Sequence, residues 1–245
     1  MWKPFAVRLS QGKQFIEDVR AARPQGFRGR PTIAAKACAE GCTACRDVCP
    51  AQAISLNPVR LDLGRCTFCD ECTRACPEQK FAFTNDPRMG ADGTDGLFID
   101  EGAAEPLAIA ERFHGLFGRS LRLRQVSAGG CNGCELELNA SANVNFDLQR
   151  YGIDWVASPR HADGLVFTGP ITNNMARAIQ LTWDAMPAPK FVAAVGACAI
   201  SGGLFRDGAE TDRSFLWVNK PAIYVPGCPV HPLTFAHAIL DVIGR

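Results

Sequence analysis

Twelve cysteines in 245 residues carry most of the chemistry this chain can offer, and their spacing sorts them. Eight fall in two runs, Cys38-x3-Cys42-x2-Cys45-x3-Cys49-Pro and Cys66-x2-Cys69-x2-Cys72-x3-Cys76-Pro. Runs of this kind bind iron-sulfur cubes: three closely spaced thiolates wrap one cluster, and the fourth, turned aside by its proline, ligates the neighbouring cluster of a pair. On that pattern Cys38, Cys42, Cys45 and Cys76 hold one [4Fe-4S] cluster, and Cys66, Cys69, Cys72 and Cys49 hold a second. The first run has three residues, Ala39, Glu40 and Gly41, where two are usual. Cys38 is therefore the ligand least fixed by pattern, with a three-iron cluster as the alternative at that site. Paired zinc sites also use Cys-x2-Cys, but zinc requires neither the triplet nor the remote fourth thiolate followed by proline.

The other four cysteines sit in three glycine-bearing loops: SAGGCNGCELE with Cys131 and Cys134, GACAISGG with Cys198, and PGCP with Cys228. Each loop follows a β-prone run, so in a parallel sheet all four thiols meet at one carboxyl edge, where a third [4Fe-4S] cluster is expected. A structural zinc or four unrelated buried thiols is the alternative. Two readings stand for Glu135 and Glu137: proton relay beside an anionic cluster, or acids in a first helical turn that complement its dipole. His161, His231 and His237 are not needed as ligands, because the cysteines already complete three sites. Arg119, Arg122 and Arg124 are expected on a solvated strand face.

The elements that must position these residues follow from repeats and periodicity. Shifting the sequence by 27 residues carries Cys42, Cys45 and Cys49 onto Cys69, Cys72 and Cys76, and Ile54 and Leu56 onto Phe81 and Phe83. Residues 1–84 are thus read as a small α+β domain of two similar halves, each a loop, a helical turn and a short strand. Residues 84–103, rich in Gly, Asp, Asn and Pro, read as a linker or surface loop. An amphipathic helix is expected from Ala104 to Phe117, so that 85–120 forms a connecting segment. From 121 to 245, β-prone runs at 121–126, 153–156, 165–168, 191–195 and 222–225 alternate with helical stretches at 133–149, 171–186 and 232–243. That alternation predicts an α/β doubly wound parallel sheet.

Composition narrows the function. Basic and acidic residues nearly balance, 26 against 25, for a formal charge of +1, which gives no general electrostatic footprint for nucleic acid. The longest apolar run, around Phe191 to Ile200, falls well short of the roughly 20 residues of a membrane-spanning helix. Glu17 and Asp18 interrupt the N-terminal stretch, which carries no twin-arginine pair, so a cytoplasmic location is expected. Reducing surroundings favour metal ligation by the cysteines over disulfides. Neither G-x-G-x-x-G nor G-x4-G-K-[ST] occurs, so no nucleotide cofactor is indicated.

The stretch GGCNGCELELNA, SPRHADGLVFTGPIT, GACAISGG and YVPGCP resembles the small subunit of energy-converting membrane-bound [NiFe] hydrogenases of the formate hydrogenlyase type, relatives of the complex I 20 kDa subunit. The N-terminal part, with GRPTI, LGRC and both cysteine runs, looks like the two-cluster ferredoxin subunit of the same complexes, here fused. The resemblance implies a flavodoxin-like sheet preceded by a ferredoxin domain, with the Cys131, Cys134, Cys198 and Cys228 cluster proximal to a nickel-iron site on a separate large subunit. It implies an electron-transfer role, with other membrane-arm subunits and an electron-donor protein as partners and peripheral attachment to the cytoplasmic face of the inner membrane through them. The Cys131-x2-Cys134 spacing is the hydrogenase-like form, whereas complex I members have the two cysteines adjacent. A nickel-free, complex I-like quinone oxidoreductase is the alternative. Val230 in PGCPVHP stands where the family usually has proline.

Overall fold

A computed structural model describes residues 2–245 except 104, 107, 108, 110–112 and 118. Five strands, β6 (Leu121–Ser127), β7 (Ile153–Trp155), β8 (Gly164–Thr168), β9 (Phe191–Val195) and β10 (Ile223–Val225), form a parallel sheet in the spatial order β10-β9-β8-β6-β7. Counted among themselves, these strands run 2-1-3-4-5, the order of a flavodoxin-like doubly wound sheet. The β8 and β9 strands are buried at every position, as expected of strands covered on both faces. Alternate residues serve opposite cores: Val166, Ala193 and Val195 join one, while Leu165, Phe167, Val192 and Ala194 join the other. All five expected strands lie within two residues of their expected bounds.

Helices α5 (Gly133–Ala140), α6 (Asn173–Ala185), α7 (Ala197–Ser201), α8 (Phe215–Val218) and α9 (Pro232–Val242) cover this sheet or cap its strands. The α5 helix ends well before residue 149, where the sequence suggested it would run on. Ser141, Asn143, Asn145 and Asp147 compete with the helix for backbone hydrogen bonds, Ser141 Oγ donates back to the Leu138 carbonyl, and Asp147 turns left-handed at φ 46°. Ten of the eleven residues of α9 are buried. A β-carbon on Gly90 would come within 2.6 Å of Ala238, so residues 89–91 close down on α9.

Before the parallel sheet lie two small antiparallel ones. The β1 (Pro31–Ile33) and β4 (Phe81–Phe83) strands pair, and β2 (Ile54–Ser55), β3 (Arg60–Asp62) and β5 (Phe98–Asp100) make a three-stranded sheet. Short helices α2 (Ala44–Asp47) and α3 (Glu71–Ala75) pack against one another between them. Their shared core holds Ile33, Ile54, Leu61 and Phe81 together with the buried Cys45, Cys66, Cys72 and Cys76. An additional N-terminal helix, α1 (Lys3–Gln11), has no buried residue.

The stretch 84–103 is not a loose linker. Met89, Ala91, Leu97 and Ile99 are buried, β5 completes the sheet of β3, and Ala91 exchanges backbone hydrogen bonds with Tyr224 at the edge of β10, at 2.9 and 2.8 Å. The glycines and aspartates that suggested a loop supply the turns, and a few apolar residues lock the strap to both halves. Of the expected helix 104–117, residues 104, 107, 108 and 110–112 lie outside those described; a single turn, α4 (His114–Phe117), is seen.

Candidate metal centres

The internal repeat survives as geometry. Gln52 and Gln79, 27 positions apart, both adopt φ 50°, and their backbone N–H groups donate to the carbonyls of Cys49 and Cys76 at 3.1 Å. One residue on, the N–H of Ala53 donates to Cys49 Sγ at 3.3 Å and that of Lys80 to Cys76 Sγ at 3.4 Å. Each Cys-Pro turn thus ends with a backbone donor on its own sulfur, and the packed α2 and α3 aim the two sulfurs past each other. Cys45 lies in the field of Cys76 and Cys38, whereas Cys66 and Cys72 lie in the field of Cys49 and Cys69. The fourth cysteine of each run therefore stands with the opposite run. The loop of Cys38 and Cys42 borders an open cavity of about 530 Å³, lined also by Val59, Lys80 and Glu101. Cys38 is exposed there.

In the parallel sheet, Cys131 follows β6, Cys134 is on the first turn of α5, Cys198 is on α7 after β9, and Cys228 follows β10. Cys134 lies in the field of Cys228 and Cys198, and Cys198 in that of Cys228 and Cys131, so the four form a third group at the carboxyl edge. Glycine is required for this approach. A β-carbon on Gly196, which has φ +94°, would stand 2.7 Å from Cys134 Sγ, and one on Gly203 would stand 2.9 Å from Cys198 Sγ. Cys131 and Cys228 are exposed, so this group opens to the protein surface.

Burial pushes the thiols of Cys66 and Cys134 up to about 12 and those of Cys72 and Cys198 up to about 11, with neighbouring thiols adding to the effect. Left to themselves these groups stay protonated, and a bound metal must supply the positive charge that makes them thiolates. Among the described residues, no three His, Cys, Asp or Glu donors converge on one ion position. Twelve thiols, eight of them in triplets with a remote fourth cysteine before proline, are the ligand chemistry of iron-sulfur clusters. The donor sets therefore fit iron-sulfur cubes.

The two carboxylates differ. Glu135 is 6% exposed, and its Oε1 accepts hydrogen bonds from Ser127 Oγ at 2.5 Å and Thr168 Oγ1 at 2.7 Å, at the ends of the two strands flanking the switch in strand order. Its charge in turn raises Cys134 and Cys198. Glu137 is raised by burial alone and lines a 250 Å³ cavity with Phe27, Phe68, Cys228 and His231. His231 caps α9, its Nδ1 accepting from the Leu233 N–H at 3.1 Å. His237 is buried on α9, and His161 is exposed on a 3-10 turn away from the thiols. Arg119 and Arg122 are exposed and Arg124 is half-buried.

Three basic residues of this region escape a reading based on cysteine spacing. Lys80 is buried, and its ammonium donates to Cys38 Sγ at 3.5 Å and to Glu101. Arg206 donates to the Ala51 carbonyl at 2.8 Å and to Gln52 Oε1 at 2.5 Å, tying the segment after α7 to the turn after Cys49. Arg213 donates to carbonyls of α7. Lys80 alone leaves a trace in the sequence, since it breaks the repeat where its counterpart is Ala53. Arg206 and a close approach of Ile200 to Gly64 make the Cys66 group the neighbour of the Cys198 loop.

Residues 131–242, which include all four cysteines of the third group, match the family described as NADH ubiquinone oxidoreductase, 20 Kd subunit. The chain is 37% identical over 128 residues to a probable membrane-bound hydrogenase subunit of Pyrococcus furiosus, covering 52% of this chain and 77% of that one. It is 39% identical over 130 residues to formate hydrogenlyase subunit 7 of Escherichia coli, covering 51% of this chain and 49% of that one. It is 37% identical over 138 residues to an NADH-quinone oxidoreductase subunit of a Roseiflexus species, covering 56% of this chain and 50% of that one. The chain thus spans about half the length of the latter two relatives.

Proposed function

The chain belongs to the family of the NADH ubiquinone oxidoreductase 20 kDa subunit, and from that premise we propose that it is the electron-transfer subunit of a membrane-associated [NiFe] hydrogenase complex. Its relatives are subunits of oxidoreductases: membrane-bound hydrogenase, formate hydrogenlyase and NADH-quinone oxidoreductase. The observation that supports the proposal is that the fourth cysteine of each run stands with the opposite run, while Cys131, Cys134, Cys198 and Cys228 stand near one another at the sheet edge. Cys38, Cys42, Cys45 and Cys76 hold one [4Fe-4S] cluster, Cys66, Cys69, Cys72 and Cys49 a second, and Cys131, Cys134, Cys198 and Cys228 a third. Residues 1–84 are a ferredoxin-like domain and residues 121–245 the family's own domain. A [4Fe-4S] cluster supplies single-electron chemistry at a potential set by its surroundings.

The protein's part is to hold, orient and insulate. Backbone N–H groups of Ala53, Phe68 and Lys80 point at the sulfurs of Cys49, Cys66 and Cys76, and donors of this kind stabilise thiolate charge. The glycines at 196 and 203 let the Cys198 loop close on the third group without side chains in the way. Glu135, fixed by two hydroxyls beside that group, is placed to hold a proton there, and Glu137 faces the cavity that reaches Cys228. The exposed side of Cys131 and Cys228 is where a separate large subunit with the nickel-iron site docks.

Among the described residues no helix is long and apolar enough to cross a membrane; in this reading partner subunits attach the chain to the cytoplasmic membrane face. An electron-donor protein completes the chain of transfer. Likeness to a subunit of NADH-quinone oxidoreductase favours a second reading, a nickel-free quinone-reducing complex, against which the Cys131-x2-Cys134 spacing counts. The test is the metal content of the complex purified anaerobically through a tag on this chain. Nickel near one per chain, with iron in large excess, is expected; abundant iron without nickel in an intact complex would replace the hydrogenase reading with the quinone one.

A further inference from the structure

Arg213 lies just before α8, and its guanidinium is spent entirely on backbone carbonyls. Nη1 donates to Pro170 and to Cys198, both at 3.2 Å, and Nη2 donates to Ala199 at 2.8 Å and Ile200 at 2.9 Å. Three of these acceptors belong to α7, the five-residue helix that carries Cys198, and the fourth to the loop after β8. The last carbonyls of a helix have no partner within it, and here one planar fork takes them together. The arginine therefore fixes the Cys198 helix to the loop beside it.

The same group is a half-buried charge without a carboxylate. Burial draws its pKa down, the Cys198 thiol is the charged neighbour that draws it back up, and among the described residues no Asp or Glu acts on it. Other arginines of the chain sit differently: Arg60 pairs with Asp100 and Arg88 with Asp86. Arginine remains ionised even when desolvated, and carbonyl dipoles hold a cation in place without cancelling its charge. A fixed positive charge shielded in part from water favours whichever state of a neighbouring centre is the more negative. For an iron-sulfur centre that is the reduced state, so the cation draws the potential upward.

Resting on the reading of Cys131, Cys134, Cys198 and Cys228 as cluster ligands, we propose that Arg213 is the positioning residue that sets the potential of that cluster. It acts through its uncompensated charge, which the carbonyls of the Cys198 helix hold in place. The inference separates two roles that a single alanine substitution would confuse, because lysine keeps the charge and loses the fork, whereas glutamine loses the charge.

The test is an EPR-monitored redox titration of the full chain within its complex, comparing wild type, Arg213→Lys and Arg213→Gln. In Arg213→Gln the ratio of reduced to oxidised third cluster at a fixed potential should fall at least tenfold, equivalent to 59 mV for a one-electron couple. The other two clusters serve as internal controls and should not move. Arg213→Lys should stay within a factor of three of wild type. An Arg213→Gln cluster that is present with an unchanged potential overturns the proposal, as does a lysine variant that falls as far as glutamine. If Arg213→Gln fails to assemble, the lysine variant decides: a potential near wild type supports the charge, and a tenfold loss overturns it. Absence of any third-cluster signal in the wild type would instead sink the ligand reading on which the proposal stands.

Discussion

Ala53 and Lys80 hold the same place in the internal repeat: each gives its backbone N–H to the sulfur of the cysteine four residues before it, at 3.3 and 3.4 Å. The side chains differ, and that difference separates the two halves. Ala53 is a buried methyl in the small core, whereas Lys80 extends a buried ammonium to Cys38 Sγ and Glu101. Lys80→Met should therefore destabilise the chain by about 1 kcal/mol, because it removes the cation from Glu101, which keeps its access to water at the open cavity. Pairing it with Glu101→Gln should recover much of that loss in thermal unfolding. Equal losses in the single and double variants would show that the ion pair contributes nothing.

Exposure separates a ligand of the first group from one of the second. Cys38 is exposed at the open cavity, while Cys72 is 8% exposed inside the core of α2 and α3. Cys38→Ala should leave a folded chain with a three-iron EPR signal at that site. Cys72→Ala should abolish the second cluster and lower the unfolding temperature, since cavity and ligand are lost together. Identical spectra for the two variants would contradict the assignment.

Gly196→Ala should remove the third cluster and spare the other two. Its β-carbon would stand 2.7 Å from Cys134 Sγ at a φ of +94°, a conformation costing about 1–3 kcal/mol for a residue with a side chain. Gly93→Ala is the control, since nothing lies within 4 Å of its added carbon. Cluster content read by visible absorption and EPR should fall by one third in the first and remain unchanged in the second, and loss in both would point to a general sensitivity.

Asp86 fastens the strap between the two halves. Burial alone would raise its carboxyl, but hydrogen bonds from Arg88 and the charges of Arg88 and Arg23 hold it below its usual 3.8. Because the folded value is the lower one, the stabilisation is present above pH 3.8 and is lost as pH falls through the folded value. Asp86→Asn should thus cost about 2 kcal/mol at pH 7 and progressively less as the pH falls through the folded value. A penalty that persists in acid would show that the role of Asp86 is packing rather than charge.

How much of this was legible beforehand depends on whether the signal is local. Leu165 to Phe167 and Phe191 to Val195 read as strands because a strand covered on both faces must be apolar throughout, and the cysteine runs read as cluster ligands because thiolate spacing is a local property. The strap formed by Ala91 and β5 gives no local signal because its strand pairing is with Tyr224 and Leu61, far along the chain, and its own glycines mask the short apolar alternation of Leu97 and Ile99. Arg206 and Arg213 carry no spacing signal at all. Their acceptors are mostly backbone carbonyls, and any residue type can present those.

The claim on which the rest depends is that each thiol group holds a cube. Native mass spectrometry of the full chain, loaded anaerobically and then alkylated without unfolding, measures this directly. The account predicts a mass increment of three Fe4S4 units, about twelve irons, with every cysteine protected from alkylation until the clusters are destroyed by acid. Two units, with Cys131, Cys134, Cys198 and Cys228 freely alkylated, would contradict it.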